Sequence, residues 1–156
     1  MKKQKDSLGD RMKMYEAVPK VFLTLGIPKI IRLDMRAGHT FCRKFNRPFD
    51  DVFSECMVYT TKDLCAQIAG VVMGYTQSDE ISLVINDVTE EKNINCFFDG
   101  GVEKMVSVSA SIATAAFNKK YMEIVRDIPS EDRMKKSMSG TSGRPSSTAG
   151  FSVFQM

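Results

Sequence analysis

Apolar and polar positions along this chain follow two rhythms, and the switches between them mark out its elements. Val52, Phe53, Cys56, Met57, Thr60 and Leu64 recur every three or four residues, which predicts an amphipathic helix over residues 50–69. Pro48 leads into it, Asp50 and Asp51 place negative charge at its first turn, and Gly70 ends it. Residues 71–75 and 81–85 are short β-branched runs about five residues apart, which predicts an antiparallel hairpin with Asp79 near its tip. A second helix is expected over 101–118, with Val102, Met105, Val106, Ser109, Ile112, Ala113, Ala116 and Phe117 on its buried face and small residues that let it lie close to the sheet. Upstream, Ser7 caps a short helix carrying Leu8, Met12 and Tyr15 at helical spacing, and Pro19 limits it. Residues 27–33 read as a short buried strand.

The resulting order, strand–helix–strand–strand–helix, is an α+β pattern that one more strand would complete as a ferredoxin-like split βαβ unit. The final strand is read as missing. Residues 137–150 are dominated by Gly, Ser, Thr and Pro and are expected to be disordered, leaving Phe151, Val153 and Phe154 as an apolar end without an obvious partner. The expected division is therefore a folded domain over 1–120 and a tail over 121–156, charged at first and then rich in Gly and Ser.

Composition narrows the function classes modestly. With 156 residues the chain is one domain plus at most a tail, and its net charge of +3 permits RNA or phosphate binding without requiring it. No apolar run approaches the ~18 residues needed to cross a membrane, so the expected location is cytoplasmic. Cys42, Cys56, Cys65 and Cys96 form no C-x-x-C pair, and His39 is the sole histidine, which argues against zinc and for free thiols.

The candidate chemistry lies in two acidic turns, each ending a predicted strand: Arg32-Leu33-Asp34-Met35-Arg36-Ala37-Gly38-His39 and Gln77-Ser78-Asp79-Glu80. Two carboxylates meeting at a sheet edge, beside a loop with Arg and Gly, suit Mg²⁺ and a nucleoside triphosphate. Mg²⁺ takes hard oxygen ligands, and triphosphate takes cations and exposed amides.

Five segments together resemble the tRNA-His guanylyltransferase family, and more closely the guanylyltransferase-like 3′-to-5′ RNA polymerases. They are residues 7–13 (Ser-Leu-Gly-Asp-Arg-Met-Lys), the turn over 32–41, the Arg-Pro-Phe-Asp step at 47–50, the turn over 77–82, and 104–111 (Lys-Met-Val-Ser-Val-Ser-Ala-Ser). Their order and number make the match far more specific than one short motif. The resemblance implies a polymerase palm that adds nucleotides to the 5′ end of tRNA or another RNA. GTP would be the preferred nucleotide, and ATP or an existing triphosphate would activate that end.

It further implies that Asp34, Asp79 and the Met35 carbonyl hold two Mg²⁺ ions, with Glu80 beside them as a supporting acid. Arg36, Ala37, Gly38, His39 and Ser78 would border the nucleotide, while Arg32, Arg47 and Lys104 would meet RNA or phosphate. Family members carry Gly where Met35 stands and a bulky aromatic where Gly38 stands. Met35 is therefore expected to forbid φ > 0 or crowd the ion, and Gly38 to loosen the loop. Family members also extend well beyond the second helix and are multimeric, so a homo-oligomer is expected. The runner-up expectation is a palm remnant that binds nucleotide or RNA without turnover. Fold analogy alone would also admit a nucleotide cyclase.

Overall fold

The computed structural model describes residues 7–43, 45–46, 50–87, 96–127 and 150–155. Its elements in chain order are α1 (Leu8–Ala17), β1 (Lys29–Met35), α2 (Gly38–Cys42), α3 (Asp51–Gln67), β2 (Val71–Gln77), β3 (Glu80–Ile85), a 3-10 turn (Phe97–Gly100), α4 (Val102–Asp127) and β4 (Phe151–Gln155). The strands form one antiparallel sheet in the order β2-β3-β1-β4. This is the α+β, ferredoxin-like arrangement, complete with its final strand.

That strand corrects the sequence reading. Residues 151–155 pair antiparallel with β1, from Met35 opposite Phe151 to Ile31 opposite Gln155. A run so short, isolated behind low-complexity sequence, carries almost no local signal. Its pairing is decided by the edge of β1, which would otherwise leave a row of backbone groups unmatched. The helix before it is also longer than expected, continuing past residue 120 to Asp127. Residues 137–149, read as disordered, lie outside the described residues.

Period-two burial along β1 and β3 makes the sheet two-sided. Ile31, Leu33 and Met35, with Ile81, Leu83 and Ile85, are buried on one face. There they meet Phe53, Cys56, Met57 and Leu64 of α3 and Met105, Ala113 and Phe117 of α4. The helix α3 comes close at Gly74, where a Cβ would lie 2.5 Å from Cys65 Sγ and 3.0 Å from a Thr61 methyl. Thr60 and Thr61, both buried in α3, satisfy their hydroxyls on the carbonyls of Cys56 (2.7 Å) and Met57 (2.8 Å). The other face carries Ile30, Arg32 and Asp34 on β1, and Glu80, Ser82 and Val84 on β3. Among the described residues no helix covers it.

Ser7 and Asp10 close a capping box on α1, yet α1 buries none of its residues. Its predicted apolar positions, Leu8, Met12 and Tyr15, are exposed.

At the end of the sheet away from the two acidic turns, a buried ion pair joins the start of β1 to the residues after β3. Lys29 Nζ donates to Asp87 Oδ2 at 2.7 Å, with both side chains nearly inaccessible. The Lys29 bond, with support from the Gly26 amide and the Cys96 thiol, holds the Asp87 carboxyl below its usual pKa against the opposing effect of burial. Asp87 Oδ1 has no hydrogen-bond partner among the described residues. Breaking such a pair leaves a buried charge uncompensated, so Lys29→Met is expected to lose about 3–5 kcal/mol in urea unfolding. Lys29→Met with Asp87→Leu should recover most of that loss. Because the folded pKa of Asp87 is depressed, its contribution is present above the unfolded value of 3.8 and is lost as pH falls through the folded value.

Candidate active site

Alternation in β1 turns Asp34 to the open face, and the strand register sets it opposite Glu80 at the start of β3. Between β2 and β3 the turn has two residues, Ser78 and Asp79, with Gln77 paired to Glu80. Ser78 takes φ 54°, the left-handed conformation that tight hairpins favour at their first central position. The Met35 N–H donates to the Asp79 carbonyl at 3.1 Å, tying the exit of β1 to the hairpin tip. The two acidic turns therefore meet at one edge of the sheet, by backbone pairing rather than by chance side-chain reach.

Electrostatics report the same convergence. Burial raises the Asp34 pKa, and the charges of Asp79 and then Glu80 raise it further, against the opposing Met35 N–H. The Cys42 thiol is pushed up to about 11 by burial and by the charges of Asp79 and Asp50. It therefore stays protonated at neutral pH, which disqualifies it as a nucleophile. Asp79 Oδ1 accepts from the Ser78 hydroxyl at 2.8 Å.

The loop after β1 is compact. Ala37 takes the left-handed conformation (φ 55°, ψ 34°), and its carbonyl accepts the amides of Thr40 (2.9 Å) and Phe41 (3.0 Å) to start α2. Arg36 N–H donates to the Gly150 carbonyl at 2.8 Å, so the approach to β4 braces this loop. That amide is engaged by protein. Gly38 and His39 occupy the first turn of α2, where a helix leaves amides without an intrahelical acceptor. His39 is exposed, as is the Arg36 side chain.

Met35 neither takes φ > 0 nor crowds the acids. It is the last residue of β1, its side chain is buried among core residues, and the positive φ falls instead on Ala37. Gly38 does something the sequence reading does not foresee: it is buried, and a Cβ there would run into the Asp79 carboxylate. The space that an aromatic would fill is occupied by Asp79 itself. Gly38→Ala is therefore expected to destabilise by about 1–3 kcal/mol through overpacking. In an Asp79→Ala background the same substitution should be nearly neutral, a non-additivity that a thermal-melt double-mutant cycle would read directly.

Arg32 lies one pair of residues before Asp34 on the open face, where its Nε donates to Ser82 Oγ at 3.4 Å. Glu80 is exposed opposite Asp34. Lys104 is elsewhere. It stands in the first turn of α4, its Nζ 5.9 Å from the centre of the Phe98 ring, beside a small cavity of about 150 Å³ shared with Lys20 and Phe22. That corner joins the Asp87 end of the sheet through the 20s segment, since Leu23 N–H bonds Gly100 and Gly26 N–H bonds Asp87. Arg47 lies outside the described residues. Ser152, opposite Asp34 in β4, escapes sequence reasoning because its strand does.

The donor set suits a divalent cation. Two carboxylates raise each other's electrostatic energy at a sheet edge where a carbonyl is also at hand, a deficit that a hard cation would neutralise. Among the described residues no three His, Cys, Asp or Glu side chains form a metal-holding group, so these ligands would include backbone or solvent oxygen.

The sequence profile of the tRNA(His) guanylyltransferase family matches residues 9–144. This chain belongs to that family. A bacterial tRNA(His) guanylyltransferase-like protein, solved in complex with ATP, superposes with a TM-score of 0.77 at 33% identity, over 96% of this chain and 58% of its own. The same kind of bacterial protein in complex with GTP gives 0.77 and 33%, with 62% of its length covered. The Saccharomyces cerevisiae tRNA(His) guanylyltransferase, at 14% identity and a TM-score of 0.69, agrees in fold over 92% of this chain and 56% of its own. An uncharacterised protein of Acanthamoeba polyphaga mimivirus is 35% identical over 121 residues, 74% of this chain and 41% of the viral protein. The chain thus spans less than two thirds of the length of these guanylyltransferase relatives.

Proposed function

We propose that this guanylyltransferase-family chain is a Mg²⁺-dependent nucleotidyltransferase that adds a nucleotide, GTP by preference, to the 5′ end of tRNA or another RNA in the 3′-to-5′ direction. The observation that carries this reading is the meeting of Asp34 and Asp79 at one sheet edge, through the Met35–Asp79 backbone bond and the register opposite Glu80. Two Mg²⁺ ions, when bound, would supply an acidified 3′-hydroxyl and neutralise triphosphate charge. Asp34, Asp79 and the Met35 carbonyl would hold them, with Glu80 supporting the charge balance.

Protein groups then do the positioning, which is most of what phosphoryl transfer asks of them. Arg36, Ala37, Gly38, His39 and Ser78 border the space for the incoming triphosphate, and Arg32 offers its cation to the acceptor phosphate. The 3′-hydroxyl of the incoming nucleotide attacks the 5′ phosphorus of the RNA. A P–O bond forms to that hydroxyl, and the P–O bond to AMP or pyrophosphate breaks, according to whether ATP has adenylylated the end or a triphosphate is already present. We place the protein in the cytoplasm as a homo-oligomer.

The test combines the chain with Mg²⁺, labelled GTP and a 5′-triphosphorylated tRNA lacking its first nucleotide. A product one nucleotide longer at its 5′ end, lost on adding EDTA, is expected. If none forms where a full-length relative succeeds, the transferase reading is wrong. The second reading, a palm that holds nucleotide without turnover, is favoured by the seating of Asp79 against Gly38. It predicts Mg²⁺-dependent stabilisation by GTP with no product in the same assay.

A further inference from the structure

The open face of the sheet carries an aromatic residue that the site described so far does not use. Tyr75 of β2 pairs with Ser82 of β3, which pairs with Arg32 of β1, and the next row toward the turn is Gln77, Glu80 and Asp34. Rows two residues apart are separated by about 7 Å, and Tyr75 and Arg32, two strands apart, by about 10 Å. Tyr75 stands on the edge strand β2 with its ring 55% exposed, and its hydroxyl donates to Gln77 Oε1 at 2.9 Å. That bond lays the ring along the strand toward the acidic edge. Arg32 is likewise held, by Ser82. One row further from the acids, Met73, Val84 and Ile30 continue an apolar floor, with Met73 and Ile30 exposed.

We infer that this face seats the 5′-terminal nucleotide of the acceptor RNA, its unpaired base stacked on Tyr75 and its 5′ phosphate drawn by Arg32 toward Asp34. The inference rests on the proposed function for its choice of ligand, but its geometry is separate from the 35–39 loop that borders the incoming nucleotide. Three features favour an RNA end over another occupant. The platform is continuous with the acidic row where transfer would take place. Its cation complements a phosphate, and it lies about one nucleotide's span from the aromatic ring. The ring also accepts any base, because every base presents a π-face, so the seat would recognise an unpaired end rather than a sequence. A base stacked on Tyr75 places its own 5′ phosphorus, not an internal one, beside the two acids.

Binding separates this inference from turnover. The full chain, in Mg²⁺ without GTP, is titrated into a short single-stranded RNA bearing a 5′ phosphate and a terminal 2-aminopurine. Wild type is expected to quench the terminal fluorophore strongly and one placed ten nucleotides in only weakly. Tyr75→Phe, which keeps the ring but loses its bond to Gln77, should keep most of the quench. Tyr75→Leu, exposed and compatible with a strand, should lose it and weaken RNA binding about tenfold, while the thermal shift produced by GTP stays unchanged. Retention of quench and affinity in Tyr75→Leu overturns the proposal, as does wild-type binding without preference for the terminal base, or no RNA binding at all. A Tyr75-dependent terminal quench in a protein that adds no nucleotide would uphold this seat and sink the transferase reading alone.

Discussion

Asp34→Asn is expected to abolish nucleotide addition and, in the same protein, to raise the melting temperature without metal. The two effects share one cause. Asp34 is partly buried and faces Asp79 and Glu80, so its ionised form is disfavoured in the fold and its pKa is raised. A carboxyl whose folded pKa exceeds its unfolded value of 3.8 binds its proton more tightly in the native state. At neutral pH, well above the unfolded value, it therefore destabilises. The amide removes that charge while keeping the shape, so the metal-free variant should melt higher at pH 7. Its advantage should shrink as pH falls through the raised folded pKa and vanish below 3.8.

Function moves the other way. Removing a ligand that would hold charge at the reacting phosphates is worth about 4 kcal/mol, roughly a thousandfold in rate. Mg²⁺ should stabilise the wild type by about 2.7 kcal/mol at a hundred times its dissociation constant and leave the variant nearly unmoved. Calorimetry with and without Mg²⁺, alongside the extension assay, reads all three. A variant that loses activity but melts lower without metal would make Asp34 a structural residue and remove the basis for the metal site.

What the sequence disclosed follows the range of the forces involved. Hydrophobic periodicity is local, so α3, α4 and the hairpin are legible, their cores resting on positions such as Cys56, Met57 and Phe117. Boundaries slip where a local rule competes with pairing. The first strand is expected at 27–33 but runs Lys29–Met35, because Pro28 lacks an amide and pairing starts with Lys29 opposite Ile85. The joining of Asp34 to Asp79 was inferable from motif context. The seating of Asp79 on Gly38 was not, because a steric contact between distant residues leaves no periodic trace. Nor could motif order place Lys104. Its segment begins α4, which starts at the Asp87 end of the sheet, so a residue that the resemblance sets against RNA or phosphate lies at the opposite end of the sheet from the acids. The open-face row of Tyr75, Ser82 and Arg32 becomes visible only when register is known.

Removal of residues 150–156 is expected to produce the largest loss of stability of any change considered. Five register pairs with β1 disappear, and the central strand becomes an edge. Phe151 goes with them: it is 9% exposed and meets Phe117 edge-on at 6.1 Å between ring centres. Phe151→Ala alone should lose about 3 kcal/mol, a large share of the 5–15 kcal/mol typical of a domain. The full deletion should exceed that and expose a strand edge prone to pairing between molecules, seen as a lowered urea midpoint and early elution on gel filtration. The site should suffer beyond this loss, because Gly150 supplies the carbonyl that braces the Arg36 amide. A synthetic peptide of residues 150–156 ought to restore part of the midpoint by adding back as a strand. Phe151→Ala, folded at low temperature, should keep that brace and bind GTP normally, whereas the deletion should not. Equal midpoints for deleted and complete chains would mean that β1 finds no partner in residues 151–155, and that the sheet ends where the sequence pattern alone would end it.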